Sequence, residues 1–194
     1  MGRTRAVIGL SAVGVGVVVL IIVLVAAGGA SRRRASGPFA WLRPASPPVG
    51  WPVARTPDGA ALAYPPGWTA ITTDPRTASV ALRGSGGRID GYLNVTAKQG
   101  AETLANWSRF RPQKNRAEGA RDVHLLATTS DAHFHSALGS CVIDTYTTSV
   151  TTYEEIACLV SGPGSSAVVV AAAPTRIWQE RSAVLERAVS SFAV

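Results

Sequence analysis

Residues 6–30 form an apolar run without a charged side chain, composed mostly of Val, Ile, Leu, Ala and Gly. As a helix this run would span about 37 Å, which exceeds the roughly 30 Å thickness of a hydrocarbon core. The apolar stretch of a cleavable signal peptide is only about 7–15 residues long. We therefore predict a transmembrane signal anchor over residues 6–30, behind a basic tip at residues 1–5. The small residues 28–30 leave cleavage open as the alternative.

The formal net charge of +7 is concentrated around this run. Residues 1–60 carry seven Arg against one acid, whereas residues 61–194 carry ten Arg and two Lys against eleven acids. A nucleic-acid-binding module would carry its basic side chains on the folded surface, so we expect a membrane, and not nucleic acid, to be the partner of these charges. The basic residues that flank the run are Arg3, Arg5, Arg32, Arg33 and Arg34.

Residues 31–57 are rich in Arg and Pro, and we interpret them as a linker between the anchor and a globular domain at residues 58–194. Proline at this density prevents a regular helix and favours extended backbone. Two tryptophans are unusual in a solvated tether. We expect Trp41 to lie at the membrane interface, where amphipathic rings collect, and Trp51 to lie there or to dock on the domain.

Beyond the linker, alternating apolar and polar residues predict short strands, and two stretches with apolar residues at helical spacing predict helices. Pro112 should end the first helix. Strands that surround one internal helix and precede a terminal one indicate an α+β fold, with an antiparallel sheet that has helices on one or both faces. The predicted strands are 61–64, 68–73, 78–82, 89–97, 123–129, 141–148, 151–160 and 167–172, and the predicted helices are 102–110 and 175–192.

Cys141 and Cys158 lie on two predicted strands that can close as one hairpin. If residues whose numbers sum to 299 face each other, Cys141 pairs with Cys158 and Tyr146 with Tyr153. Opposed residues have Cα atoms about 4.5–5.5 Å apart, within the roughly 4.4–6.8 Å that a disulfide accepts. Such a bridge needs an oxidising compartment and predicts an extracytoplasmic domain. The alternatives are two reduced, buried cysteines and a cytoplasmic domain, which the Lys and Arg count around the apolar run slightly favours.

Asp131, His133 and His135 alternate along the chain and would share one face of a strand, where a carboxylate and two imidazoles can bind Zn²⁺ or Cu²⁺. The alternative is a solvated polar face or a loop. Sequence signatures of nucleophilic catalysis and of nucleotide binding do not occur. Glu154 and Glu155 would point to opposite faces of a strand, which is the wrong geometry for a paired acid and base. We therefore expect no enzymatic activity and no cofactor.

Short stretches of the globular domain resemble the PsbP-like superfamily, which includes the LpqN-like envelope lipoproteins of actinobacteria. They are residues 62–68 (Leu-Ala-Tyr-Pro-Pro-Gly-Trp), residues 103–107 (Thr-Leu-Ala-Asn-Trp), and the ending with Pro174, Trp178 and residues 190–192. The resemblance implies a central antiparallel sheet between helices, an α/β/α sandwich, and a non-catalytic accessory or binding role. This chain departs from the family in its anchor, which replaces a lipidated Cys, and in its cysteine pair.

Together these features predict an anchored extracytoplasmic binding or accessory module of a bacterial envelope. Its partner would be another envelope protein or a small apolar ligand, with Trp68, Trp107 and Trp178 either lining a groove or completing the core. The alternatives are an accessory factor of a secretion machine, an envelope hydrolase or metal-dependent enzyme that uses His133 and His135, and a cytoplasm-facing regulatory protein.

Overall fold

One seven-stranded antiparallel sheet organises the part of the chain that the computed structural model describes, residues 37–72 and 74–194. The strand order is β3-β4-β5-β9-β8-β7-β6, and a separate two-stranded hairpin pairs β1 with β2. The strands are β1 (Val53–Arg55), β2 (Ala61–Ala63), β3 (Thr69–Ile71), β4 (Thr77–Arg83), β5 (Ile89–Ala97), β6 (Arg121–Phe134), β7 (Ala137–Thr147), β8 (Thr152–Ser161) and β9 (Ser166–Pro174); the helices are α1 (Trp107–Ala117) and α2 (Trp178–Ser190).

The two helices lie on opposite faces of the sheet. Two neighbouring residues of β8 show this, since neighbouring side chains of a strand point to opposite sides of the sheet. Cys158 of β8 belongs to an apolar cluster that includes Leu185 and Phe192, from α2 and the residues after it. The preceding residue, Ala157, belongs to a second cluster that includes Trp107 of α1. The predicted α+β architecture, with an antiparallel sheet between helices, is therefore confirmed.

The first helix differs from its prediction, since α1 runs from Trp107 to Ala117 with Pro112 inside it. Proline removes one helical hydrogen bond and crowds the carbonyl of residue i−4, which is why the sequence predicted an end there. Here Pro112 is buried, and the flanking turns of α1 are docked on the sheet through Trp107 and Asn115. Tertiary packing thus outweighs the local cost of the proline.

The hairpin of β6 and β7 is longer than the predicted strands at 123–129 and 141–148. Three register shifts along β6 accommodate extra residues without breaking the pairing with β7. Phe134 faces Ala137, so His135 and Ser136 form a two-residue turn, with His135 at φ 38°. A turn of this kind needs left-handed backbone, which the sequence pattern did not signal.

The described part of the predicted linker, residues 37–57, packs on the folded unit instead of standing apart from it. Trp41 and Trp51 are half-buried against the apolar cluster beneath α2, together with Phe39 and Leu42. The Ala45 N–H donates to the Ser190 carbonyl over 2.9 Å. The folded unit therefore begins before the predicted boundary at residue 58, because prolines exclude a helix but leave aromatic rings free to dock. Docking of Trp51 is confirmed; Trp41 also packs on the domain, and its predicted position at a membrane interface stays a prediction.

The predicted anchor at residues 6–30 and the basic residues around it lie outside the described residues. Within residues 37–72 and 74–194, neither helix has the length and apolarity that crossing a bilayer requires.

Candidate functional site

The cysteine prediction is confirmed by the hairpin of β7 and β8. Cys141 faces Cys158 in the register, both side chains are fully buried, and they form a disulfide with Cα atoms 4.1 Å apart. Tyr146 faces Tyr153, with ring centroids 5.9 Å apart. The bridge joins β7 to β8 within the apolar cluster that also contains α2 side chains, and so belongs to the scaffold of the domain.

The candidate metal ligands do not converge. Asp131 and His133 are exposed on β6, and His135 leaves the strand in the turn that follows. Among residues 37–72 and 74–194, no three His, Cys, Asp or Glu side chains come close enough to hold a metal ion. The described geometry therefore does not bring the three predicted ligands together as a metal site.

The three candidate tryptophans have different surroundings. Trp68 and Trp178 are buried in the apolar cluster beneath α2. Trp68 lies over Gly91, where an added Cβ would come within 2.5 Å of the indole ring, so the strand leaves room for it. Trp107 is buried on the other face, and its Nε1–H donates to the Ala157 carbonyl over 2.9 Å. Trp107 also borders a cavity.

That cavity exists because α1 covers only the part of its sheet face formed by β6, β7 and β8. The same face of β4 and β5 stays open beside the helix. The resulting space has a volume of about 900 Å³, the size of a ligand pocket, and we call it the α1 groove. Its lining includes Thr77, Tyr92, Asn94, Thr96, Val168 and Val170 from the sheet, Trp107, Phe110, Arg111, Lys114 and Asn115 from α1, and Tyr146, Thr148 and Ser149 from the β7–β8 hairpin.

A chain of hydrogen bonds orders the polar floor of the groove. Asn94 Nδ2 donates to Ser79 Oγ over 2.8 Å, and Thr96 Oγ1 donates to Asn94 Oδ1 over 3.0 Å. Thr77 and Thr96 share a further hydrogen bond of 3.0 Å between their hydroxyls. Because these groups hold one another in place, the floor presents fixed oxygen and nitrogen atoms to whatever enters.

The wall of the groove is fastened by buried charges. Arg111 of α1 donates to both oxygens of Glu155, over 2.6 Å from Nε and 2.9 Å from the terminal nitrogen. Asp144 lies directly opposite Glu155 on the neighbouring strand. Asn115 Nδ2 donates to both acids, over 3.3 Å to Asp144 and 3.2 Å to Glu155. We call Arg111, Asn115, Asp144 and Glu155 the acid-pair cluster.

Burial and a neighbouring charge alter the ionisation of this cluster. Burial, together with the adjacent Glu155 carboxylate, raises the pKa of Asp144 to about 8. Burial and then Glu155 also raise the pKa of Tyr146 above its ordinary range. Burial alone would lower the pKa of Arg111, but the charge and hydrogen bonds of Glu155 more than offset this and raise it. At neutral pH the cluster therefore holds Arg111 charged and Asp144 protonated.

The acid pair escaped prediction although the sequence contained its signal. The register in which residue numbers sum to 299, and in which Cys141 faces Cys158, also places Asp144 opposite Glu155, whereas the prediction about paired acids concerned Glu154 and Glu155. Those two do point to opposite faces, since Glu155 is fully buried and Glu154 is half-exposed. The carboxyls of Asp144 and Glu155 are both buried away from solvent, so a molecule bound in the groove would not contact them.

Comparison with known proteins shows the fold. Neither a protein-family profile nor a curated protein matches this sequence. The solution structure of cyanobacterial PsbP from Synechocystis is similar, with a TM-score of 0.56 and 17% identity, covering 77% of this chain and 97% of that one. The crystal structure of LpqN, involved in cell envelope biogenesis of Mycobacterium tuberculosis, gives a TM-score of 0.45 and 10% identity over 70% of this chain and 82% of LpqN. The likeness to cyanobacterial PsbP establishes that the domain has a PsbP-like fold.

Proposed function

We propose that this protein is a non-catalytic binding or accessory module of a bacterial cell envelope, and that the α1 groove is its binding site. The observation that carries the proposal is the groove itself, an open cavity of about 900 Å³ with an ordered polar floor. Its cationic side chains are already occupied, Arg111 by Glu155 and Lys114 by Glu118. Such a lining suits recognition by shape and neutral hydrogen bonds better than acid–base chemistry.

Two features support a place at the outer side of a membrane. The apolar run at residues 6–30 is long enough to stay in a bilayer as an anchor. The Cys141–Cys158 disulfide fits an oxidising compartment, where such bonds form and persist. The partner then lies in the same membrane or in the space beside it, as an envelope protein or a small ligand with apolar parts.

Reporter fusions and extraction test this placement. Alkaline phosphatase fused after Val194 should be active, and β-galactosidase fused at the same position should be inactive. Deletion of residues 6–30 is the matched control and should reverse both results. The intact protein should also stay in the membrane pellet after carbonate washing. Activity of the cytoplasmic reporter alone would overturn the extracytoplasmic placement, and release by carbonate would overturn the anchor.

Capture in intact membranes tests the groove. Chemical crosslinking followed by purification should recover a discrete adduct, or native mass spectrometry a bound small molecule. Thr96→Trp would place an indole over the half-buried floor of the groove and should reduce capture several-fold. Ala183→Trp on the exposed side of α2 is the control and should leave capture unchanged. Recovery of the protein alone, or equal capture by Thr96→Trp, would count against the groove as the binding site.

A further inference from the structure

We propose that a single proton held between Asp144 and Glu155 fastens α1 to the sheet, and that the α1 groove is therefore regulated by pH. The functional consequence rests on the proposed role of the groove as a binding site. The pH dependence with which α1, one wall of the groove, docks on the sheet rests on the acid-pair cluster alone.

The geometry brings two acids together where water cannot separate them. Asp144 and Glu155 are directly opposite each other on β7 and β8, and both side chains are fully buried. Among the described residues, Asp144 Oδ1 has no hydrogen-bond partner although it is buried. A proton on Asp144 gives this pair a donor, and a hydrogen bond to Glu155 favours that protonated form.

Within residues 37–72 and 74–194, one cation faces the pair. Arg111 of α1 is committed to Glu155 through two hydrogen bonds, and Asn115 contributes a neutral amide. The cross-strand neighbour of Asp144 on β6 is Leu125, and that of Glu155 on β9 is Ala172. The Tyr146 phenol also lies beside the cluster; a phenol is neutral at physiological pH, and burial raises the pKa of Tyr146 further.

The other basic side chains of the last turns of α1 are engaged elsewhere. Lys114 pairs with Glu118 over 3.1 Å, and both are exposed. Arg116 donates to the Val123 carbonyl over 2.9 Å. Two carboxylates would thus share one guanidinium in a buried site, and a buried charge without a counter-charge is strongly unfavourable. Retaining one proton resolves this imbalance.

The sign of the pH effect follows from proton linkage. With α1 docked, the pKa of Asp144 is about 8, whereas exposure to water would return it to its ordinary value of 3.8. Between these two values, docking takes up one proton. The docking equilibrium should therefore weaken up to about tenfold for each unit of rising pH, and level off above the higher pKa. A lower pH therefore holds α1, the wall of the groove, more tightly against the sheet. A higher pH loosens α1 and makes its groove-lining residues Trp107, Phe110 and Lys114 more mobile.

Hydrogen exchange on the full-length protein in detergent micelles tests this inference between pH 5.5 and 7.5. Ordinary carboxyls stay ionised across this window but histidines can titrate in it, so the slope assigned to Asp144 is the part that Asp144→Asn removes. Protection factors of α1 amides should fall by as much as about 100-fold over the two units, while those of α2 serve as the internal reference. Asp144→Asn keeps a neutral hydrogen-bonding side chain and should abolish the slope. Asp131→Asn, at an exposed acid of β6, should retain it.

A flat profile in the wild type, or an equal slope in Asp144→Asn, would overturn the inference. If Asp144→Asn fails to fold, ¹³C NMR of the Asp144 carboxyl in the wild-type protein decides instead. A carboxyl that is already ionised at pH 6 would contradict the proton, and one that titrates near pH 8 would support it. These measurements need neither partner nor membrane, so their failure leaves the topology and capture experiments untouched. Failure of those experiments would likewise leave the proton-dependent docking of α1 standing.

Discussion

The two faces of the sheet are built on different principles. The α2 face is closed by an apolar cluster that contains the Cys141–Cys158 disulfide and the fully buried Leu185 and Phe192. The α1 face is only half covered, and its contact with the helix includes the buried pair of Arg111 and Glu155. A buried ion pair contributes less to the free energy of folding than apolar packing does. The contact of α1 with the sheet is therefore weaker than that of α2, and it can respond to protonation. We interpret the α2 face as scaffold and the α1 face as the working surface.

The largest expected effect comes from breaking the acid-pair cluster. Glu155→Ala removes the carboxylate that accepts both hydrogen bonds of the buried Arg111 guanidinium and leaves Asp144 as the acid beside it, which should lower the free energy of unfolding by up to about 3–5 kcal/mol. Replacing both residues, with Arg111→Met and Glu155→Leu, should recover most of that loss because apolar packing can substitute for a buried pair. Urea unfolding of the three proteins measures both effects. A loss below about 1 kcal/mol in the single variant would mean that the pair does not hold α1.

On the α2 face, the corresponding test removes the disulfide. Replacing Cys141 and Cys158 together with Ala should lower stability by about 2–4 kcal/mol, since the bridge closes a loop with a sequence separation of 17. Thermal unfolding should shift to lower temperature with no change in the pH slope of α1 protection. A change in that slope would show that the two faces are coupled, which contradicts the division proposed here.

The smallest expected effect lies at the surface of α1. The Lys114–Glu118 pair has both side chains about half exposed, so Lys114→Ala should change the free energy of unfolding by no more than about 0.5 kcal/mol. Urea unfolding at low and high salt measures this. A loss of several kcal/mol would mean that docking of α1 depends on its exposed charges and not on the acid-pair cluster.

The features that the sequence predicted are those set by local pattern and by hairpin symmetry. Alternation located the long central strands, and the sum rule for the β7–β8 hairpin placed Cys141 against Cys158 because register in a hairpin follows from its turn. The features that the sequence did not predict depend on contacts between distant parts of the chain. Pro112 is tolerated inside α1 because the helix is docked, and Arg111 reaches Glu155 across 44 positions of sequence.

The groove could not be predicted for a related reason. Its floor is open because α1 packs on β6, β7 and β8 and leaves β4 and β5 uncovered. Which strands a helix covers depends on tertiary packing and cannot be read from local pattern. The polar residues Thr77, Asn94 and Thr96 alternate with apolar ones, as in any strand with one solvated face. Their pattern alone therefore does not indicate a binding site. Packing of residues 37–57 on the domain was likewise hidden behind a composition that suggests a tether.

Site-specific photocrosslinking in intact membranes is the most direct test of the division between a scaffold face and a working face. A photoreactive amino acid would replace Gln99, an exposed residue at the groove, or Ala183, an exposed residue on α2. The account predicts a discrete adduct from position 99 and none from position 183. Adducts from position 183 alone would contradict it, because the partner would then dock on the face that we regard as scaffold.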